Sequence, residues 1–226
     1  MPRNVNIAAL LIVAGWAGLC RASPLPPAAA SATITSDELQ LVDQGAESIF
    51  VGHVVIKQDY YTLWADRVRQ VKDTGIANAF GHVKALWARP GEARILGTGL
   101  YAKYDPNTEE AQLWNRAEIT RWETEADTSP VHIKADHFIS REMEQKMWAK
   151  GNVYIRRPGN FWSKSEDGLY NQAEQVVSLW GPQQVEMQYM DDKGAAHFFS
   201  DRAMVFLSPK RVRLLDHVKG HIVPAP

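Results

Sequence analysis

Residues 50–85 read FVGHVVIKQDYYTLWADRVRQVKDTGIANAFGHVKA, and this stretch holds one phrase twice: Gly52-His53-Val54 and Gly81-His82-Val83. Between the copies lie a small–acidic pair, Ala65-Asp66, and a turn, Asp73-Thr74-Gly75. The same site recurs downstream at Asn115, Gly151, Gly181 and Asp216, at separations of 29, 34, 36, 30 and 35 residues. All six residues are Gly, Asn or Asp, the types that tolerate left-handed or bent backbone at least cost.

The flanks of the site alternate. Two residues after it stand Val54, Val83, Ala117, Val153, Gln183 and Val218, and four after it Ile56, Ala85, Ile119, Ile155, Val185 and Gly220. Two before it stand Phe50, Ala79, Leu113, Ala149, Leu179 and Leu214. A period of two with one apolar parity predicts strands with one buried face. On this reading Gln183 puts an amide on the apolar stripe. The residue just before the site is bulky in five units (Val51, Phe80, Trp114, Trp180, Leu215), and a bend there predicts burial under an edge.

A second site lies fifteen residues upstream of the last five: Asp66, Leu100, Asp136, Glu166 and Asp201, each preceded by a small residue. Turn-like clusters such as Asp105-Pro106-Asn107 and Ser208-Pro209-Lys210 fall between the two sites. Each unit therefore reads strand, turn, strand, and length varies only between units, as a repeat of hairpins requires. Glu142–Trp148 has helical propensity but occupies a turn-and-strand slot. Thr35–Glu47 reads as a short helix or an extended lead-in.

The chain of 226 residues suffices for one domain with a sizeable core, and its net charge of −1 gives no field for nucleic acid. The repeated acids recur once per unit, the pattern of carboxylates that accept backbone N–H groups at a bend. His53, His82 and His217 share one wet position, and no H-E-x-x-H pair, phosphate loop, dinucleotide fingerprint or G-x-S-x-G elbow is present. No cofactor or metal is expected. Of the eight tryptophans, Trp64, Trp114, Trp148, Trp162 and Trp180 either fill a core or line a groove, and composition favours the core.

The N-terminus reads as an export signal: Arg3, then the uncharged run Ile7–Leu19, then small residues with a cut after Ala22 or as late as Ala32. Residues 23–46 are a linker and lead-in, and residues 47–222 the repeat domain. Cys20 raises a lipoprotein reading, against which Leu19 stands where that processing site prefers a small residue. Retention of the apolar run as an inner-membrane anchor is a further alternative.

The phrases VGHVVI (51–56), LWADRV (63–68), TGIA (74–77) and AFGHV (79–83), with IKAD (133–136) and WAKGNV (148–153), resemble the OstA-like family of periplasmic lipopolysaccharide-transport proteins of the LptA type. The likeness covers roughly residues 47–222. It implies an all-β fold, an open, taco-like β-jellyroll of antiparallel strand pairs, without enzymatic activity. It also implies an apolar groove that shelters the acyl chains of lipid A, contacts with inner- and outer-membrane transport components, and end-to-end self-association. The groove candidates are Phe50, Val54, Ile56, Leu63, Ala79, Val83, Leu113, Ile119, Val153, Ile155, Leu179 and Val185. Three other readings compete: a membrane-anchored, LptC-like component of the same system, a carbohydrate-active β-repeat enzyme using clustered acids, and a structural stalk.

Overall fold

A computed structural model describes residues 32–224 of the protein, except 92, 125, 142–143, 160, 193 and 208–209. The export signal and the Cys20 question fall on residues 1–31 and lie outside the described residues. Fourteen strands form one sheet. They are β1 Thr33–Thr35, β2 Glu38–Val42, β3 Glu47–Gln58, β4 Tyr61–Val71, β5 Ala77–Trp87, β6 Arg94–Asp105, β7 Glu110–Trp122, β8 Val131–Arg141, β9 Lys146–Arg157, β10 Phe161–Asn171, β11 Val176–Asp191, β12 Gly194–Leu207, β13 Lys210–Leu215 and β14 Lys219–Pro224. A 3-10 turn, Asp43–Gly45, joins β2 to β3. No α-helix occurs among the described residues.

The strands pair in chain order and every pair is antiparallel. Short turns suffice for such a meander, so the hairpin repeat in the sequence becomes the sheet directly. The two edges are built alike. β1 and β2 pair with opposite ends of β3; β13 and β14 pair with opposite ends of β12. Each edge is one strand broken in the middle. Among the described residues the two edges do not pair with each other, so the jellyroll is open. The lead-in segment is extended rather than helical, and it adds the first edge to the sheet. Of the Glu142–Trp148 stretch, Glu144 and Gln145 form a turn and Lys146 opens β9; residues 142–143 lie outside the described residues.

One face of this sheet is apolar and closed. Val54, Ile56, Leu63, Val83, Ile95, Ile119, Leu179 and Val185 are each 1% exposed and belong to one hydrophobic cluster. A flat sheet cannot hide one face to that degree, so the sheet curls until the face meets itself. Burial of each such side chain is worth about 1.5–3 kcal/mol.

The curl has a local cause. Each inner pair of neighbouring strands loses register at one level, as between Val51 and Val54 on β3 or Phe80 and Val83 on β5. The extra residues are consecutive and left-handed: Gly52 and His53 (φ 73° and 43°), Gly81 and His82 (70° and 42°), Asn115 and Arg116 (59° and 60°), Gly151 and Asn152 (73° and 51°). A bulge bends its strand. Bulges aligned at one level in successive strands fold the sheet along one line, beside which the small residues Ala65, Gly99, Ala135, Ser165 and Ser200 let the walls approach.

The bulges also reset the side-chain alternation, and this corrects three expectations. On the return strands both the acid and the residue after it face outward. Thus β4 buries Leu63 and Ala65, then Val68 and Gln70, while Asp66 and Arg67 are exposed. On β11 the bulge is larger: Lys164 pairs with Glu186 and Asp167 with Trp180, leaving Gly181–Val185 between them. Gln183 is exposed and off the stripe. Val185 takes the place that Val54 and Val153 hold, opposite the small Ser200, and Met187 follows it inward. Gly220 follows no buried stripe either, because β14 is an edge and Val218 is half exposed. Finally, the bulky residues before the bulge are not tucked under an edge. Phe80 and Trp114 stand on the outer face, in cross-strand contact with Tyr101.

The tryptophans are redistributed accordingly. Trp87 is in the core. Trp64, Trp114, Trp148, Trp162 and Trp180 are only partly buried and lie on the opposite parity, next to inward-facing Leu63, Leu113, Ala149, Ser163 and Leu179. An indole outside a sheet keeps a polar handle and a face for cations. Arg141 lies over Trp148, and Lys164 over Trp162, whose indole N–H donates to Gln188 at 2.7 Å.

Candidate apolar interior and its bulge spine

The twelve groove candidates come together. Eleven are buried in the interior cluster, and Phe50 packs against it partly buried. They arrive there by register. Ile56 faces Leu63 and Leu63 faces Ala85; Ile119 faces Ile133 and Ile133 faces Ile155. Ala79 and Leu113 join a second row through Ala102. The interior is continuous from β3 to β12, mainly aliphatic, and self-packed: even Ile155, the most accessible of the eleven, is 9% exposed.

Half of the interior lies beyond the flanking positions that the repeat singles out. Val68, Ala77, Ile95, Tyr104, Phe138, Met147, Tyr170 and Met187 are all part of it. On the return strands the sequence does carry a signal for them. The small–acidic pair marks where alternation slips by one, so the buried positions beyond it are two and four residues past the acid: Val68 and Gln70, Phe138 and Ser140.

The repeated acids form a spine along the bulges. Asp66 Oδ2 lies 2.8 Å from His82 Nδ1, Asp136 Oδ2 accepts from Asn152 Nδ2 at 2.8 Å, and Asp201 Oδ2 lies 2.6 Å from His217 Nδ1. An ionised carboxylate only accepts, so in each histidine pair the proton is on Nδ1. These partners are side chains of the next strand's bulge, in place of the backbone N–H groups expected. The first unit has the same device in Asp37, whose Oδ2 lies 2.8 Å from His53 Nδ1. Asp37 is missed by the repeat as read from the sequence, although it stands fifteen residues before Gly52 and follows Ser36. The same carboxylates explain the glycines: a Cβ at Gly52, Gly81 or Gly151 would overlap Asp37, Asp66 or Asp136.

Hydrogen bonding to Asp37 holds the His53 pKa above its ordinary value, and Asp201 does the same for His217. The Asp201 carboxyl is lowered in turn, first by His217 and then by Gln184. The acids lie on β4, β8, β10 and β12, spread along the sheet. They do not converge as a pair of catalytic carboxylates would.

An open antiparallel meander, creased by aligned bulges around a continuous apolar interior, defines a class of protein: an open, LptA-like β-jellyroll. Residues 33–129 match the family model described as LptA/(LptD N-terminal domain) LPS transport protein. Over that stretch, somewhat less than half of the chain, the sequence is similar to this lipopolysaccharide-transport family. Among solved structures, it is similar to LptH, described as the LptA-homologous periplasmic component of the lipopolysaccharide transport device of Pseudomonas aeruginosa. The identity is 12% and the TM-score 0.36, over 72% of this chain and 96% of that one. No significant match is found among curated protein sequences.

Proposed function

We propose that this protein acts in the periplasm as a non-enzymatic carrier, sheltering the acyl chains of lipid A in its interior and bridging inner- and outer-membrane components. Residues 1–22 are its removed export signal. The observation that carries the reading is the aliphatic interior running unbroken across the sheet beneath two unpaired edges. An acyl chain costs about 0.8 kcal/mol per methylene to expose to water, so a multi-chain lipid needs continuous shelter. Val54, Ile56, Leu63 and Val83 offer it without directional contacts. Entry requires the curled walls to part, and it exchanges wall-to-wall contact for wall-to-acyl contact, which keeps the apolar surface covered.

Photo-crosslinking side chains placed at Val54, Ile56, Val83 and Ile155 of the full-length protein, expressed in cells, test this. Lipopolysaccharide adducts are expected at all four positions and not at the outward Lys84 or Lys134. Absence of adducts at the four inward positions sinks the proposal. The edges supply the contacts for bridging. β2 exposes Leu39 and Leu41, and β14 exposes Ile222 and Val223. Each presents unpaired backbone groups to which a neighbour can add a strand.

A further inference from the structure

The third unit breaks the spine. Where Asp37, Asp66, Asp136 and Asp201 each pair with a bulge side chain, and the fifth unit still carries the acid Glu166, this one has Leu100 and Arg116. Beside Leu100, on the outer face, lies a depression of about 410 Å³ lined by Arg67, Arg69, Phe80, Gly81, Leu100 and Tyr101. That size falls within the roughly 300–1,000 Å³ of small-molecule sites. Arg69 is engaged by Glu47. The Arg67 side chain makes no hydrogen bond or ion pair among the described residues.

The depression opens onto an aromatic row. Arg67, Phe80, Tyr101, Trp114, His137 and Lys150 are register partners across six strands. Tyr101 and Trp114 stack at 5.9 Å with their planes 17° apart, and Phe80 meets Tyr101 edge-on at 5.8 Å. Tyr101 is the exposed member, at 36%. Cross-strand packing accounts for such a row by itself. It does not account for a free guanidinium at its end, or for an apolar residue where the repeat calls for a carboxylate.

We propose that this outer depression binds a phosphorylated sugar, its ring against Tyr101 and its phosphate on Arg67. The chemistry is specific on both sides. The electron-rich faces of aromatic rings attract the partly positive C–H groups of a pyranose, and a planar guanidinium takes a phosphate through two parallel hydrogen bonds. An acid at position 100 would repel that phosphate; Leu100 does not. The site is separate from the interior and does not depend on what the interior carries. The sugar phosphate is either free or borne on a lipid, and the experiment distinguishes the two.

The full chain, labelled with ¹⁵N, is titrated with glucose 1-phosphate, glucose and inorganic phosphate, following the Trp114 indole N–H resonance identified with Trp114→Phe. Glucose 1-phosphate is expected to shift it saturably, with glucose and phosphate at least tenfold weaker. Arg67→Gln and Tyr101→Ala should each weaken binding about tenfold, whereas Arg156→Gln should not. Leu100→Asp, which restores the repeat's own residue and so keeps the fold, should abolish binding. Equal affinity for inorganic phosphate, or indifference to Arg67→Gln and Leu100→Asp, overturns the site. In a second arm, deacylated lipopolysaccharide saccharide competes with glucose 1-phosphate if the source is lipid-borne. Failure to compete, with the first arm positive, supports a free sugar phosphate. Because no acyl chain is present in either arm, a negative result here leaves the crosslinking test of the interior unaffected.

Discussion

Gly81 shows how a single missing carbon sets a position. Its φ of 70° disfavours any side chain, and the Asp66 carboxylate fills the space where Cβ would stand. Gly81→Ala is therefore expected to cost roughly 1–3 kcal/mol, read as a lowered urea midpoint. Asp66→Ala in the same chain should recover part of that loss, since it removes the overlap but not the strain. The histidine pairs make a second residue-scale prediction. His53 and His217 have folded pKa values above their unfolded value of about 6.5. Their contribution is complete below that unfolded value and is lost as pH rises through the raised folded one. The lowered Asp201 carboxyl adds the opposite limit: its share is present above its unfolded pKa and is lost as pH falls through the folded one. The Asp201–His217 pair is thus strongest in mildly acidic solution, between the two. NMR titration should place His53 above its ordinary pKa in the wild type, and Asp37→Asn should return it there. Both pairs are solvent-exposed, so the titration, rather than the melting point, is the sensitive readout.

At the scale of the strand, the bulge decides which residues face inward. On β11 the enlarged bulge throws Pro182, Gln183 and Gln184 outward and hands the inward positions to Val185 and Met187. The two possible registers differ sharply in what they expect of mutants. Met187→Ala should cost about 2–5 kcal/mol by leaving a cavity, while Gln183→Ala should change stability by less than about 0.5 kcal/mol. Denaturant unfolding of both variants checks the assignment, and a large effect at Gln183 with none at Met187 would refute it. The outward tryptophans follow from plain alternation. Trp148 and Trp162 neighbour inward-facing Ala149 and Ser163, so the sheet pleat sends them out, where cations cover them.

For the molecule as a whole, the consequence of being open is two edges. Natural sheets usually blunt such edges with charge or proline. Here Leu41 and Ile222 are 66% and 68% exposed on opposite ends of the strand order. End-to-end pairing should therefore be concentration-dependent in sedimentation, and Leu41→Lys or Ile222→Lys should weaken it without lowering the melting temperature. A wild-type protein that stays monomeric at every concentration would remove self-association from the proposed bridge.

The sequence by itself determined the class of fold, its construction from successive hairpins, and the buried face of β3, β5, β7 and β9. The physical reason is that these strands keep a period of two on both sides of a recurring Gly, Asn or Asp. It also carried Asp37 and the slip on the return strands, but as signals too short to stand without the pairing. Only the tertiary structure decided the rest. Whether Asp66 met a backbone N–H or His82 depended on which strand lay alongside. Whether Trp114 filled the core depended on its standing one residue from inward-facing Leu113, a matter of strand parity that composition cannot record. Whether Leu100 was a degenerate repeat position or the floor of a depression depended on Arg67, thirty-three residues away in the chain and one strand across from Phe80. Alternation is a local property and survives in one dimension; partnership across strands is set by register, and register exists only once the sheet has formed.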